Sequence, residues 1–145
     1  MLQAEMTELY VREINKLIKE IGQYETDAEL WKTKEGINNS GGCLCQHLTG
    51  SLLHFIGATL GNIGYIRNRD NEFINSDKSR AELISGLENA REVITHTFAT
   101  LSAETLDKEF AFDFAGKQST RFYLLMFLGH LAYHLGQINY HRRLI

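Results

Sequence analysis

The chain has 145 residues, 43% of them hydrophobic and 23% charged, with a net charge of −3. This is enough for one domain with a core of its own, and the charge balance excludes both a nucleic-acid footprint and a polybasic membrane anchor. There is no proline and no sustained alternating pattern, which points to long uninterrupted helices. The N-terminal segment carries mixed charge from Glu5 onward and no apolar stretch of a secretory signal, and the longest apolar run, Phe122 to Leu128, is too short for a bilayer. A soluble, cytoplasmic protein without nucleic-acid or membrane partners is expected.

Four helical patterns follow in chain order. The first runs from Leu2 to about Tyr24, with Met6, Leu9, Tyr10, Leu17, Ile18 and Ile21 as its apolar stripe. Thr26 and Glu29 read as a capping box, Trp31 as a plug for the bundle end, and Lys32 to Asn39 as loop. Ser40 caps a second helix expected to end near Gly64. It contains Gly50, Gly57 and Gly61, each costing about 1 kcal/mol against alanine, so tight helix packing has to compensate. Cys43 and Cys45 are too close in sequence for an unstrained bridge and lack the spacing of a structural zinc knuckle, so reduced thiols are expected.

The third helix starts at the capping box Ser79–Glu82 and runs to about Leu101, with Leu83, Leu87, Ala90, Ile94 and Phe98 facing inward. Residues 102–117 read as irregular, with Phe110, Phe112 and Phe114 forming a short extended lid. The fourth helix runs from about Ser119 to the end, with Arg142 and Arg143 in the last turn suiting the helix dipole.

Five of the six histidines lie in the second and fourth helices. His130 and His134, four apart, present two imidazoles on one helix face, where two nitrogens can grip one ion; neutral imidazole suits zinc, nickel, copper or iron. No glutamate follows His130, so the H-E-x-x-H protease pattern is absent. On the second helix His47 and His54 share a face about 10 Å apart, and spacing alone leaves open which of them joins the pair. His141, seven beyond His134, is expected to be an exposed or end-of-helix residue.

The linker Tyr65–Lys78 can reach about 46 Å against about 37 Å for a 25-residue helix, which leans toward a crossover between helices two and three. Its cluster Arg67–Glu72 reads as a solvated, salt-bridged loop, most of a helix length from His47 and out of reach of a metal.

The run His130-Leu-Ala-Tyr-His134-Leu-Gly136-Gln137, with His47-Leu48 on the second helix, resembles the two-part motif of the DinB family of DinB/YfiT-like metalloenzymes. The resemblance spans the whole chain in length and helix order. It implies an all-α, up-down-down-up four-helix bundle with a long crossover between helices two and three. It also implies a divalent metal, nickel or zinc, held by His47, His130 and His134, with an open position for water or substrate, and a homodimer. Some related proteins transfer low-molecular-weight thiols to electrophiles, so a thiol S-transferase or hydrolase acting on a small molecule is the leading expectation. The alternative is a non-catalytic, metal-stapled dimeric bundle. Relatives often carry histidine and arginine where this chain has Tyr133 and Leu135. Beside the three ligands, Gln137, His54 and Cys43 are the candidates for supporting the site or lining a substrate pocket. No catalytic residue is assigned.

Overall fold

The structure is a computed structural model that describes residues 2–145. Helix α1 is Leu2–Gly22. After a 3-10 turn, Asp27–Trp31, helix α2 spans Gly41–Leu52 and continues through a wider π-helical segment, Leu53–Ala58, into a last turn, Thr59–Gly61. Helix α3 is Arg80–Thr100, α4 is the short Ala103–Asp107, and α5 is Thr120–Leu144.

The starts are set by local chemistry. Ser40, Ser79 and Ser119 each accept a hydrogen bond from a first-turn amide that has no partner within its helix, and Ser79 with Glu82 forms a complete capping box. Thr26 caps the 3-10 turn in the same way, but the Glu29 carboxylate accepts from the Glu25 amide instead of closing a box. The second helix ends at Gly61, three residues earlier than expected, and its cap Asn62 takes the left-handed conformation (φ 52°) that polar asparagine tolerates.

Cross-helix contacts give the topology. Tyr10 Oη donates to the Leu124 carbonyl and Tyr24 Oη to the Ile138 carbonyl, so α1 and α5 run parallel. Gly22 faces Ile84 while Tyr10 meets Phe98, so α1 and α3 run antiparallel. Thr49 faces Gly86 and Gly61 faces Thr97, making α2 and α3 parallel. The bundle is therefore up-down-down-up, and Tyr65–Lys78 is the crossover that returns the chain along its length.

The core draws on every bundle helix, among them Ile14 and Leu17 of α1, Leu48 and Ile56 of α2, Leu87 and Ile94 of α3, and Leu131 and Ile138 of α5. Gly57 and Gly61 serve the packing expected of them: a side chain at Gly57 would press on Val93 and Ile63, and one at Gly61 on Thr97. Trp31 closes one end, packed over Gly42 with its indole N–H donating to the Lys78 carbonyl at 3.0 Å. At the other end, Phe110 is tied to Gln118 by a backbone bond of 2.9 Å, and Phe114 folds back on Tyr123 and Phe127. Among the described residues no helix is long and apolar enough to cross a membrane.

His141 lies in the last turn of α5, as expected of an end-of-helix residue, but it is not exposed. It is 3% exposed, with Nδ1 2.7 Å from Tyr24 Oη and Nε2 2.8 Å from the Lys32 carbonyl. Its face is turned toward α1 by the parallel packing of α1 and α5, and it ties the chain's first loop to the last turn.

Candidate metal centre

His47 comes from the middle of α2, and His130 and His134 from successive turns of α5. Because α2 and α5 are antiparallel neighbours, mid-helix positions meet. His47 Nε2 lies 3.0 Å from His130 Nε2, and one nitrogen from each of the three rings lies within 4.8 Å of the others. It is the only such convergence of His, Cys, Asp or Glu among the described residues.

Of the other candidates, His54 and Cys43 stand apart from this cluster. His54, two turns on, sits in the π-helical segment edge-on to Phe55 and near Phe112, at ring distances of 4.8 and 5.5 Å. Cys43 and Cys45 are free and buried in the core, and burial pushes the Cys45 thiol up to about 12. Gln137 touches the centre: its Oε1 accepts from His134 Nδ1 at 2.6 Å, and its Nε2 donates to Tyr133 Oη at 3.3 Å.

The residue that sequence reasoning missed is Glu72. Far from lying beyond reach, the Arg67–Glu72 segment passes directly beside His47. A crossover that returns along the whole bundle has to pass its mid-height, and here a 3-10 turn, Asp70–Phe73, places Glu72 there. Glu72 is 6% exposed and its Oε1 accepts from His47 Nδ1 at 3.0 Å. Arg67 grips the same carboxylate with Nε and Nη2 at 2.8 and 2.7 Å. Phe73 packs against the His47 ring at 4.8 Å.

Gly50, one turn after His47, makes room for this arrangement, since a Cβ there would collide with the Glu72 carboxylate. The glycine in the sequence was the available signal, but it was read as helix packing. Gly50→Ala is expected to destabilise the protein by about 1–3 kcal/mol, as overpacking does, and to weaken metal binding by displacing Glu72. Equal metal affinity in wild type and variant, by competition with a chromogenic chelator, would refute the notch.

These bonds set the protonation of the rings. A carboxylate only accepts, so His47 carries its proton on Nδ1 and turns a bare Nε2 lone pair inward. The Gln137 amide oxygen does the same for His134. Such partners orient a ligand imidazole and fix its tautomer. Desolvation lowers the pKa of His47 and brings His130 down to about 4, so both rings stay uncharged at neutral pH, the form that binds metal.

The sign for stability follows. A histidine whose folded pKa lies below its unfolded value near 6.5 binds protons more readily in the unfolded chain. Its contribution is therefore intact above pH 6.5 and is lost as pH falls through 6.5 toward 4. His141 shifts in the same direction by burial. Chelator-treated protein should thus lose urea stability progressively below pH 6.5; a flat profile from pH 7 to 4.5 would contradict these shifts.

The donor set fits a divalent ion. Two nitrogens each about 2.1 Å from one zinc must lie within about 4.2 Å of each other. The His47–His130 pair meets that at 3.0 Å, and the donor nitrogen of His134 lies within 4.8 Å of both. Beside His47 and His130 opens a cleft of about 440 Å3, floored by Phe55 and Phe127, which stack at 4.7 Å.

Fold and site together define a helical bundle with a three-histidine candidate metal site facing a cleft. The chain belongs to the family described as "Protein of unknown function (DUF1572)", whose model matches residues 3–145. Among solved structures it is similar to "the conserved protein of locus from Enterococcus faecalis", at 14% identity and a TM-score of 0.78. That match covers 100% of this chain and 97% of the other, and it shows a shared fold. No curated protein matches the chain.

Proposed function

We propose that this protein is a DinB-like metalloenzyme in which His47, His130 and His134 hold one divalent ion, nickel or zinc. The observation that carries the reading is the convergence of three imidazoles, two of them with Nδ1–H already committed to Glu72 and Gln137. An ion held there would act as a Lewis acid, lowering the pKa of a water or thiol beside it. The chain's own part is to keep His47 and His130 neutral, to orient His47 and His134 through Glu72 and Gln137, and to present substrate from the cleft side.

Thiol S-transfer, with a low-molecular-weight thiol as co-substrate, is the favoured chemistry, and hydrolysis is the alternative. The cleft beside the ligands argues against the second reading, an ion that merely staples α2 to α5, because a staple needs no adjoining space. The deciding experiment loads the protein with nickel or zinc, counts metal per chain, and screens thiols against electrophiles. One ion per chain with metal-dependent conjugation is expected; full loading with no turnover of any thiol or ester leaves the staple.

We also propose a homodimer formed through α5. Phe122, Leu125, Tyr133 and Tyr140 are exposed along one stripe of that helix, and Gly129 and Gly136 leave open space between them. Sedimentation equilibrium should show a dimer that Leu125→Asp converts to a monomer with unchanged helicity. A monomeric wild type would rule this surface out.

A further inference from the structure

The cleft beside the histidines has two chemically distinct ends. Its floor is aromatic and apolar: Phe55 lies flat on Phe127, and Phe114 and Met126 complete the wall. Its rim is cationic, with Arg67 and Arg69 both lining it, and no acidic residue lines it.

The two arginines are not equivalent. Arg67 lies over the Phe55 ring at 5.5 Å, but its charge is already matched by the Glu72 carboxylate. Arg69 is exposed, forms no ion pair among the described residues, and is held over Phe73 at 5.2 Å. Phe73 in turn packs on His47, so Arg69 is fixed one ring away from the candidate metal centre. A loaded centre of three neutral imidazoles keeps the full charge of its ion. An occupant of this cleft therefore meets uncompensated positive charge on one side and aromatic surface on the other.

We propose that the cleft binds a small organic anion bearing an apolar group, with the carboxylate between the histidine centre and Arg69 and the apolar group on Phe55, Phe114 and Phe127. This names the substrate class of the metal site and rests on that reading. A neutral molecule would leave the Arg69 charge unanswered, and a cation would be repelled by it. A highly polar anion without an apolar part would lose its own hydration against the aromatic floor for no return.

The test uses 3-phenylpropionate as probe, with 3-phenylpropan-1-ol as its uncharged counterpart, titrated calorimetrically into zinc-loaded and zinc-free protein. The carboxylate is expected to bind up to about fivefold more tightly than the alcohol in zinc-free protein, the scale of one partly screened ion pair. Zinc should strengthen the carboxylate only. Arg69→Gln, on an exposed side chain, should bring the carboxylate down toward the alcohol without moving the alcohol or the metal content. Phe114→Ala should weaken both phenyl compounds and leave acetate unchanged.

Equal binding of acid and alcohol, or an Arg69→Gln variant with unchanged affinity for the acid, overturns the proposal. A protein that takes up no zinc sinks the metal reading instead. The Arg69 dependence, measured on zinc-free protein, still judges the cleft by itself.

Discussion

His130→Ala should abolish metal binding while leaving the bundle folded. Wild-type protein is expected to retain about one ion per chain after desalting; the variant should retain almost none. The loss should exceed the roughly 10–100-fold that removal of an orienting partner causes, because a donor atom itself is gone. Metal at 1,000 times its dissociation constant stabilises the native state by about 4 kcal/mol, which for a chain of this size raises Tm by about 8–16 °C. His130→Ala should show none of that rise. Its metal-free Tm should stay near that of metal-free wild type, because the half-buried His130 side chain forms no hydrogen bond except the one to His47. Retention of the ion by His130→Ala would remove the site, and a variant that no longer folds would be replaced by His134→Ala, whose ring is anchored only to Gln137.

Glu72→Ala should be the more damaging substitution for stability. It leaves the Arg67 guanidinium, whose side chain is 9% exposed, as an unpaired buried charge. Breaking such a pair costs about 3–5 kcal/mol, or a fall in Tm of about 6–20 °C. It also frees the His47 ring, so metal affinity should drop by about 10–100-fold. Two companion variants separate the effects. Glu72→Gln keeps an oxygen that accepts the His47 Nδ1–H, so metal affinity should recover more than stability does. Replacing both Glu72 and Arg67 by methionine removes the buried charges together, so stability should recover and metal affinity should not. If all three lose metal and stability in parallel, Glu72 is only a packing residue.

Much of the bundle can be read from residues whose chemistry is local. Ser40 and Ser79 mark helix starts because a side-chain oxygen answers an amide within three residues, and the inward stripe of α3 follows from helical period alone. The pairing of His130 with His134 is of the same kind. His47 could not be chosen over His54 from spacing, because the choice depends on the stagger of α2 against α5. The resemblance supplied His47, and in the structure His47, not His54, stands beside the pair.

What stayed hidden was mostly tertiary. Glu72 lies 25 positions beyond His47 in a segment without period, and only the path of the crossover brings them together. The depth of His141 depends on α1 lying parallel to α5. Gly50 carried a trace of the answer: an empty position one turn from His47, filled in three dimensions by a carboxylate from another segment. The π-helical turn at Leu53–Ala58 left no such trace, and Gly57 within it gave only the packing clue.

The crossover also favours one order of assembly over another. His47 and Glu72 are 25 residues apart, whereas His47 and His130 are separated by 83. Closing the shorter loop is favoured by about 1 kcal/mol of chain entropy. During folding, the half of the centre formed by α2 and its returning strap can thus organise before α5 arrives with the remaining two donors. An ion bound as proposed would then enter late, when the last helix docks onto a half-built seat.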